Sequence, residues 1–448
     1  MTAPVILQSD FWCRLMSTSS GQSLLRKAFA SLVNKGPHGL GRDVHDYLRW
    51  RLSQLGEGSR AQPKARSNWD LNQEELRSLP EILRSKPVLV YAEASTRCNL
   101  HCFMCRLSFP ETTRRTRQHM ELATYVKLEP LLEPGSRLSL FGLGEPLLNP
   151  SFVEMLRIAK DRGAFVGLNS NAMLLTERIA RAMVELGQDL LVVSFSGGTP
   201  ETYERVITGA SFERVVGNLR RLNEIKMSAA SRHHPTPATP LEQVKPVLQL
   251  QFTAMRDNVR ELPDVVRLAL ELRCAGVVVM PLTIVDPSLA EQSLLNPEVW
   301  SAAQDAFAEA RRVAETAEYD FDLQLPALLP TAKPRRTDDA ELLPGAPAGS
   351  TGIAASAGEP LSPICYEPWQ TFYVRDDGTV NTCCYSNRVL GDLRRQSALE
   401  VWNGEPYRRF RARMRSANKP AECRVCHKLR GDDWYDQRVE DVQFYDEL

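Results

Sequence analysis

The chain has 448 residues, 43% of them hydrophobic, enough for one large catalytic domain with smaller attachments. Its 55 Lys and Arg balance 55 Asp and Glu, so no net field holds a polyanion by counterion release, which argues against nucleic acid as a partner. No apolar stretch approaches the ~20 residues of a membrane span, and the N-terminal MTAPVILQSDFWCRLMS has neither a basic n-region nor a long h-region, so no membrane is expected and the cytoplasm is.

Residues 1–86 are expected as a helical N-terminal extension, because Leu24, Leu25, Phe29 and Leu32, then Val44, Leu48, Leu52 and Leu55, recur at helical intervals around KGPHGLG. From residue 87 the pattern changes to strand and helix in alternation. Strands are predicted at PVLVYAEAS, SRLSLFGL, AFVGLNS, DLLVVSFS, VLQLQFTAM and GVVVMPL, with helices over 121–132, 151–162, 176–187, 211–226, 259–273 and 298–317. The fold class is α/β: residues 87–325 form a partial (β/α)6 TIM-like barrel whose right-handed crossovers put every strand's C-terminal end on one face. Residues 228–246 are expected as an exposed loop and 326–362 as a linker. A small α+β domain over 363–430 and a tail over 431–448 complete the chain.

Ten cysteines stand at 13, 98, 102, 105, 274, 365, 383, 384, 423 and 426. Cys13 and Cys274 are isolated and read as ordinary thiols. The other eight fall into two tight sets, which in a reducing compartment points to metal or cluster ligation rather than disulfides. In EASTRCNLHCFMC, Cys98, Cys102 and Cys105 follow the first strand. Three thiolates leave one iron of a 4Fe–4S cube open to an outside molecule, whereas structural zinc, the alternative, takes four ligands.

This CxxxCxxC, with FGLGEPLLNP after the second strand, LNSNAMLL after the third and VVSFSGGTPETYERV after the fourth, resembles the radical S-adenosylmethionine (SAM) superfamily over about residues 87–285. The resemblance implies that Cys98, Cys102 and Cys105 hold a 4Fe–4S cluster whose open iron chelates SAM. An electron from a donor such as flavodoxin or ferredoxin then releases methionine and a 5′-deoxyadenosyl radical, which abstracts a substrate hydrogen. Gly142, Gly144, Glu145 and Pro146 correspond to the family's GGEP motif, which meets the methionine amino group. Asn171, Ser194 and Ser196 correspond to loops near the ribose. Met104 takes the place of an aromatic residue near adenine, and Ser196 stands where aspartate is frequent.

The second set, Cys365, Cys383 or Cys384, Cys423 and Cys426, supplies four thiolates, and DDGT between TFYVR and VNTCC predicts a hairpin with an Asp-Gly turn. The segment resembles the SPASM or twitch iron–sulfur domain, with Cys383 completing its GxxxxC element after Gly378. That implies one auxiliary 4Fe–4S cluster, a zinc ribbon being the alternative. Cys384 is left over. It is expected either as a small buried hydrophobe or as a catalytic hydrogen-atom donor facing the barrel, which would make the reaction an epimerisation.

An auxiliary cluster with four protein ligands suits electron transfer, so the resemblance points to a radical SAM oxidoreductase acting on a small sugar- or aminocyclitol-like metabolite. The alternative is a maturase that epimerises, crosslinks or oxidises a ribosomally made peptide; the helical, strand-free reading of residues 1–85 tilts away from it. A non-enzymatic metal-binding or electron-carrier protein is the reading from another class, and the GEP segment argues against it. Arg106, Arg114, Arg115 and Arg117 form either a solvated loop or an anion grip. His233 and His234 show no metal spacing and are expected to be exposed.

Overall fold

Aliphatic and β-branched runs become strands where both faces of the sheet can be covered. The helix α1 (Asn68–Ser78) precedes β1 (Leu89–Ala92) and β2 (Arg137–Leu140), with α2 (Leu122–Val126) between those strands. The barrel continues through α3 (Phe152–Asp161), β3 (Phe165–Ser170), α4 (Glu177–Glu185), β4 (Leu190–Ser194), α5 (Pro200–Val206), α6 (Phe212–His233), β5 (Val247–Ala254), α7 (Leu262–Glu271) and β6 (Gly276–Pro281). α8 (Pro297–Ala314) and β7 (Asp322–Gln324) end it. The computed structural model describes residues 67–109, 116–233, 240–284, 286–294, 296–326, 364–384 and 386–424. Outside the described residues lie most of the expected N-terminal extension with Cys13, Arg114, Arg115, His234, nearly all of the linker, Cys426 and the tail.

All six predicted strands form, and β7 adds a seventh parallel strand beside β6. Burial alternates strictly in β3: Val166, Leu168 and Ser170 are buried, while Phe165, Gly167 and Asn169 are half-buried on the opposite, inward face. Leu190, Val247 and Ala275 pack with Phe165 and Val192 to close the inner floor, leaving the polar Asn169, Ser194, Gln251 and Thr253 nearer the strands' C-terminal ends.

The helices differ from expectation at three places. The helix expected over 211–226 runs on as α6 to His233, taking up the start of the segment 228–246 expected as a loop. The helix expected over 121–132 stops at Val126 and resumes as a single 3-10 turn, Glu129–Leu131, because Pro130 has no amide hydrogen to continue the ladder. The sequence reading passed over α5, although its N-cap is legible: Thr199 accepts from the Thr202 amide, and Pro200 opens the helix. Glu261 completes that cap from the turn before α7, accepting from the Gly198 and Thr199 amides at 2.7 and 3.0 Å.

The C-terminal segment comprises α9 (Glu367–Gln370), β8 (Thr371–Val374), β9 (Thr379–Asn381), β10 (Gly391–Asp392), α10 (Ala398–Trp402), α11 (Glu405–Arg415) and α12 (Ala421–Arg424). The expected hairpin forms between β8 and β9, and Gly378 takes the left-handed conformation, φ +84°, that closes its turn. Among the described residues one ten-stranded sheet results, in the order β10-β9-β8-β1-β2-β3-β4-β5-β6-β7. β8 runs parallel to β1, pairing Leu89 with Thr371 through Ala92 with Val374, so the C-terminal domain continues the barrel's own sheet.

Residues 67–86 strap the back of this domain. Asn72 Nδ2 donates to the Trp369 carbonyl at 2.7 Å, Trp402 Nε1 donates to the Ser85 carbonyl, and Asn403 exchanges two hydrogen bonds with Leu83. Arg411 is fully buried beneath the strap, its guanidinium 4.4 Å from the centre of the Trp402 ring. Among the described residues no helix is long and apolar enough to cross a membrane.

Candidate active site at the barrel mouth

The strands' C-terminal ends hand the chain to loops at one mouth, and two of these loops are locked together by backbone. The amides of Gly144 and Glu145 donate to the carbonyls of Ser95 and Arg97 at 3.2 and 2.8 Å, joining the loop after β2 to the cysteine loop after β1. A Cβ on Gly144 would lie 2.4 Å from the Arg97 oxygen, and one on Gly142 would lie 2.8 Å from Glu93 Cγ. Both glycines therefore serve the close approach of the two loops.

Glu145 is buried, and its carboxylate accepts from the Leu147 amide at 3.0 Å, Ser170 Oγ at 2.8 Å and the Asn171 amide at 2.7 Å. Burial pushes its pKa up, against the downward pull of these donors. The side chain thus ties the second loop to the third. With the carboxylate so engaged, the loop's carbonyls are the acceptors better suited to an incoming ammonium. Asn171 reaches back in turn: its Nδ2 donates to Asn99 Oδ1 at 3.1 Å and lies 3.9 Å from Cys98 Sγ. Pro146 is buried at the head of the 3-10 turn Pro146–Leu148.

Cys98, Cys102 and Cys105 are half-buried on this framework. Burial raises all three thiols, Cys102 to about 12, and Cys102 is raised further by Cys105 and Cys98. Backbone amide donors at Leu100 and Leu107, together with Arg117 and Arg106, pull the other way on Cys98 and Cys105 respectively. Three neighbouring, partly desolvated thiolates are unfavourable without a positive centre, which an iron–sulfur core supplies, and amide donors to sulfur are the usual second shell of such a core. Among the described residues no three His, Cys, Asp or Glu side chains gather tightly enough for a single metal ion. A cube spreads its thiolates over separate irons, so the donor set fits the cluster better than mononuclear zinc.

The remaining expected cofactor residues divide. Met104 is half-buried against the core together with its neighbour Phe103, so an aromatic ring stands one residue earlier than the family pattern places it. Ser194 is half-buried at the end of β4, on the inward face. Ser196 is buried, and its Oγ accepts from the Thr253 amide at 3.0 Å, stitching β4's end to β5.

Three participants carried no motif signal. Glu93, buried at the end of β1, accepts from the Tyr373 hydroxyl of β8 at 2.6 Å. Thr96 donates to Asp376 in the hairpin turn, a second tie between the cysteine loop and the C-terminal domain. Tyr203 of α5 is fully buried, its ring clamped 4.6 Å from Phe195 and 5.6 Å from Phe212, and its hydroxyl has no hydrogen-bond partner. Burial pushes that phenol well up, with Cys102 next among the causes.

In the C-terminal domain Cys365, Cys383 and Cys423 are half-buried, and Cys426 lies outside the described residues. Arg388, in the loop after β9, pairs with Glu422 at 2.8 Å beside Cys423. Cys384 is exposed rather than buried or barrel-facing as expected, because it stands in the turn that follows β9 and not on the strand itself.

Residues 93–250 match the family model of the radical SAM superfamily, and residues 365–427 match that of the SPASM iron–sulfur cluster-binding domain. The chain is 25% identical to the tungsten-containing aldehyde ferredoxin oxidoreductase cofactor-modifying protein of Pyrococcus furiosus, over 72% of this chain and 82% of that protein. It is 28% identical to the PqqA peptide cyclase of Gluconobacter oxydans, over 52% of this chain and 58% of that one. In fold it is similar to SuiB of Streptococcus suis bound to S-adenosylmethionine, with a TM-score of 0.54 at 14% identity, covering 90% of this chain and 86% of that one. With one cysteine set inside each matched domain, the chain belongs with the radical SAM enzymes that carry a SPASM domain, and binds SAM with a 4Fe–4S cluster and iron–sulfur auxiliary to it.

Proposed function

We propose that this enzyme is a maturase that oxidises a ribosomally made peptide. The SPASM match beside the radical SAM match carries the oxidising half of the reading, because it sets the four thiols Cys365, Cys383, Cys423 and Cys426 in the same chain as the SAM-binding set, on a domain whose β8 extends the barrel's sheet at β1. The likeness to the PqqA peptide cyclase supports a peptide as substrate. The cofactor-modifying protein of Pyrococcus furiosus keeps the small-metabolite reading, a sugar or aminocyclitol, in view as the alternative.

When bound, SAM and its cluster supply a 5′-deoxyadenosyl radical that takes a hydrogen atom from a C–H bond, and the auxiliary cluster supplies a sink for the electron left behind. The chain's own residues hold and orient. Cys98, Cys102 and Cys105 hold the first cluster, with Asn171 steadying the Cys98 corner. The loop at Gly142–Pro146 receives the methionine end of SAM, held in place by Glu145. Glu93 and Tyr373 close the inner wall between the two domains, and Ser194 lines the inward face. Cys365, Cys383, Cys423 and Cys426 hold the auxiliary cluster.

The test is anaerobic reconstitution with iron and sulfide, then dithionite, SAM and any short peptide found to be encoded beside the gene, with sugars and cyclitols assayed in parallel. A peptide that loses two hydrogens while 5′-deoxyadenosine forms is the expected outcome. Cys423→Ala should leave SAM cleavage and abolish that peptide product. Turnover of a sugar or cyclitol with no peptide changed would replace the reading with the metabolite one.

A further inference from the structure

Asn171 is buried in the loop after β3, and its side-chain amide is committed on both atoms. Its Oδ1 accepts from the Met173 amide at 3.0 Å, and one amide hydrogen goes to Asn99 Oδ1 at 3.1 Å. The other goes to Cys98 Sγ, 3.9 Å from Nδ2, a separation suited to an N–H···S contact because sulfur is the larger acceptor. Both hydrogens are thereby taken, so the side chain has none left for a ribose oxygen. The backbone fixes this aim. The Asn171 amide donates to Glu145 Oε2 at 2.7 Å. Ala172, next in the chain, is fully buried in the left-handed conformation, φ +56°, which is unfavourable for a residue with a Cβ and persists only where the surroundings impose it. Here Ser170 Oγ accepts from the Ala172 amide at 3.0 Å, and Asn218 Nδ2 of α6 donates to the Ala172 carbonyl at 2.9 Å. Asn171 is thus pinned by Glu145 on one side and, through Ala172, by α6 on the other.

We propose that Asn171 donates a hydrogen bond to the Cys98 thiolate of the SAM-binding cluster and thereby raises that cluster's reduction potential, with Asn218 as the positioning residue that holds the donor on its target. The inference rests on Cys98, Cys102 and Cys105 as the ligands. A hydrogen bond to ligand sulfur stabilises the reduced, more negative state more than the oxidised one. SAM cleavage waits on that reduction, so the donor at Cys98 sets how readily an external one-electron reductant primes the enzyme. Asn171 acts through the thiolate and Asn218 through Asn171; neither touches substrate or SAM in this role.

The test is a redox titration of the full-length chain carrying its clusters, followed by electron paramagnetic resonance, with the SAM-binding cluster recognised by the change in its signal when SAM is added. Asn171→Leu keeps the size of the side chain and loses the donor. It should lower the ratio of reduced to oxidised cluster at the wild-type midpoint about threefold, a shift of about 30 mV for a one-electron couple, and leave the affinity for SAM unchanged. Asn169→Leu is the control, since Asn169 Nδ2 donates to Gln251 Oε1 at 3.3 Å rather than to a cysteine, and it should leave the midpoint where it is. An unchanged midpoint in Asn171→Leu at wild-type iron content overturns the proposal, and if SAM binding weakens at the same time the side chain belongs to the ribose instead. Should that variant lose iron, Asn218→Leu keeps the donor in the chain but releases the Ala172 carbonyl; it should lower the midpoint in the same direction, and no shift overturns the proposal equally. If Cys98→Ala/Cys102→Ala/Cys105→Ala keeps the SAM-responsive signal, the ligand assignment fails instead, and the role of Asn171 with it.

Discussion

Replacing Arg411 by methionine should destabilise the protein by about 3 kcal/mol, and the structure gives the reasoning. The guanidinium is fully buried and donates to the carbonyls of Pro368 at 2.8 Å, Glu81 at 2.9 Å and Trp402 at 2.9 Å, and to Asn403 Oδ1 at 3.2 Å. Burial holds its pKa down to about 10, against the pull of Tyr407 and Glu75, so the charge survives at neutral pH. That depression corresponds to a cost of about 3 kcal/mol, which methionine relieves. Four bonds to a charged donor, at the low end of ~1.5 kcal/mol each, outweigh the relief by a similar amount. Methionine also strands three carbonyls in a dry site, and the loss of one partner from a buried charged network costs about 3–5 kcal/mol. Urea unfolding of the apo chain, read by tryptophan fluorescence, measures the change, with Trp369 and Trp402 beside the site as reporters. Arg411→Lys should fall between, since one ammonium cannot reach acceptors arranged around a planar fork. A methionine variant within about 1 kcal/mol of wild type would refute the idea that this arginine binds the strap, α9 and α10 together.

Gly144→Ala should cut SAM-dependent 5′-deoxyadenosine formation by roughly tenfold to a hundredfold with the circular dichroism spectrum unchanged, because its Cβ must push the Arg97 and Ser95 carbonyls away; near-normal formation counts against the loop contact. Lys226 is buried with no partner for its Nζ, and burial lowers its pKa to about 8. Between pH 8 and 10 the unfolded chain keeps a proton the folded one has lost, so stability rises with pH there. Lys226→Met should remove that slope and stabilise the chain at pH 7 by about 1–3 kcal/mol, and an undiminished slope in chemical denaturation would point to another group. Cys384→Ala should retain full auxiliary iron; lost iron would make Cys384 the ligand in place of Cys383.

The strands were legible because each is an aliphatic run bounded by turn residues, and the cysteine loops because their spacing is short. The stitching between the loops was not. Glu145 reads as part of a ligand-facing motif, yet its partners at Ser170 and Asn171 lie 25 and 26 residues away, a pairing that no local pattern encodes. The bond from the Thr253 amide to Ser196 was hidden for the same reason: nothing local to a small polar residue at a strand end says which neighbouring strand's amide it will meet. Tyr203 looks like one more apolar position of a short helix, and its unpaired hydroxyl appears only when its surroundings are known. α5 itself was missed because seven residues hold too few turns for periodicity to show.

The pairing of β8 with β1 has a consequence for how the chain is made. Tyr373 meets Glu93 across 280 residues of sequence, so during synthesis the outer edge of the first strand waits, unpaired, until almost the whole polypeptide has emerged. The cysteine loop after β1 is translated early but gains its Thr96–Asp376 tie only at the end. Such late, long-range closure is slow and leaves an edge open to wrong partners. Deleting the C-terminal domain therefore does more than remove an auxiliary cluster: it exposes a strand edge at the root of the SAM site, and a truncated chain should be judged first for aggregation and only then for chemistry.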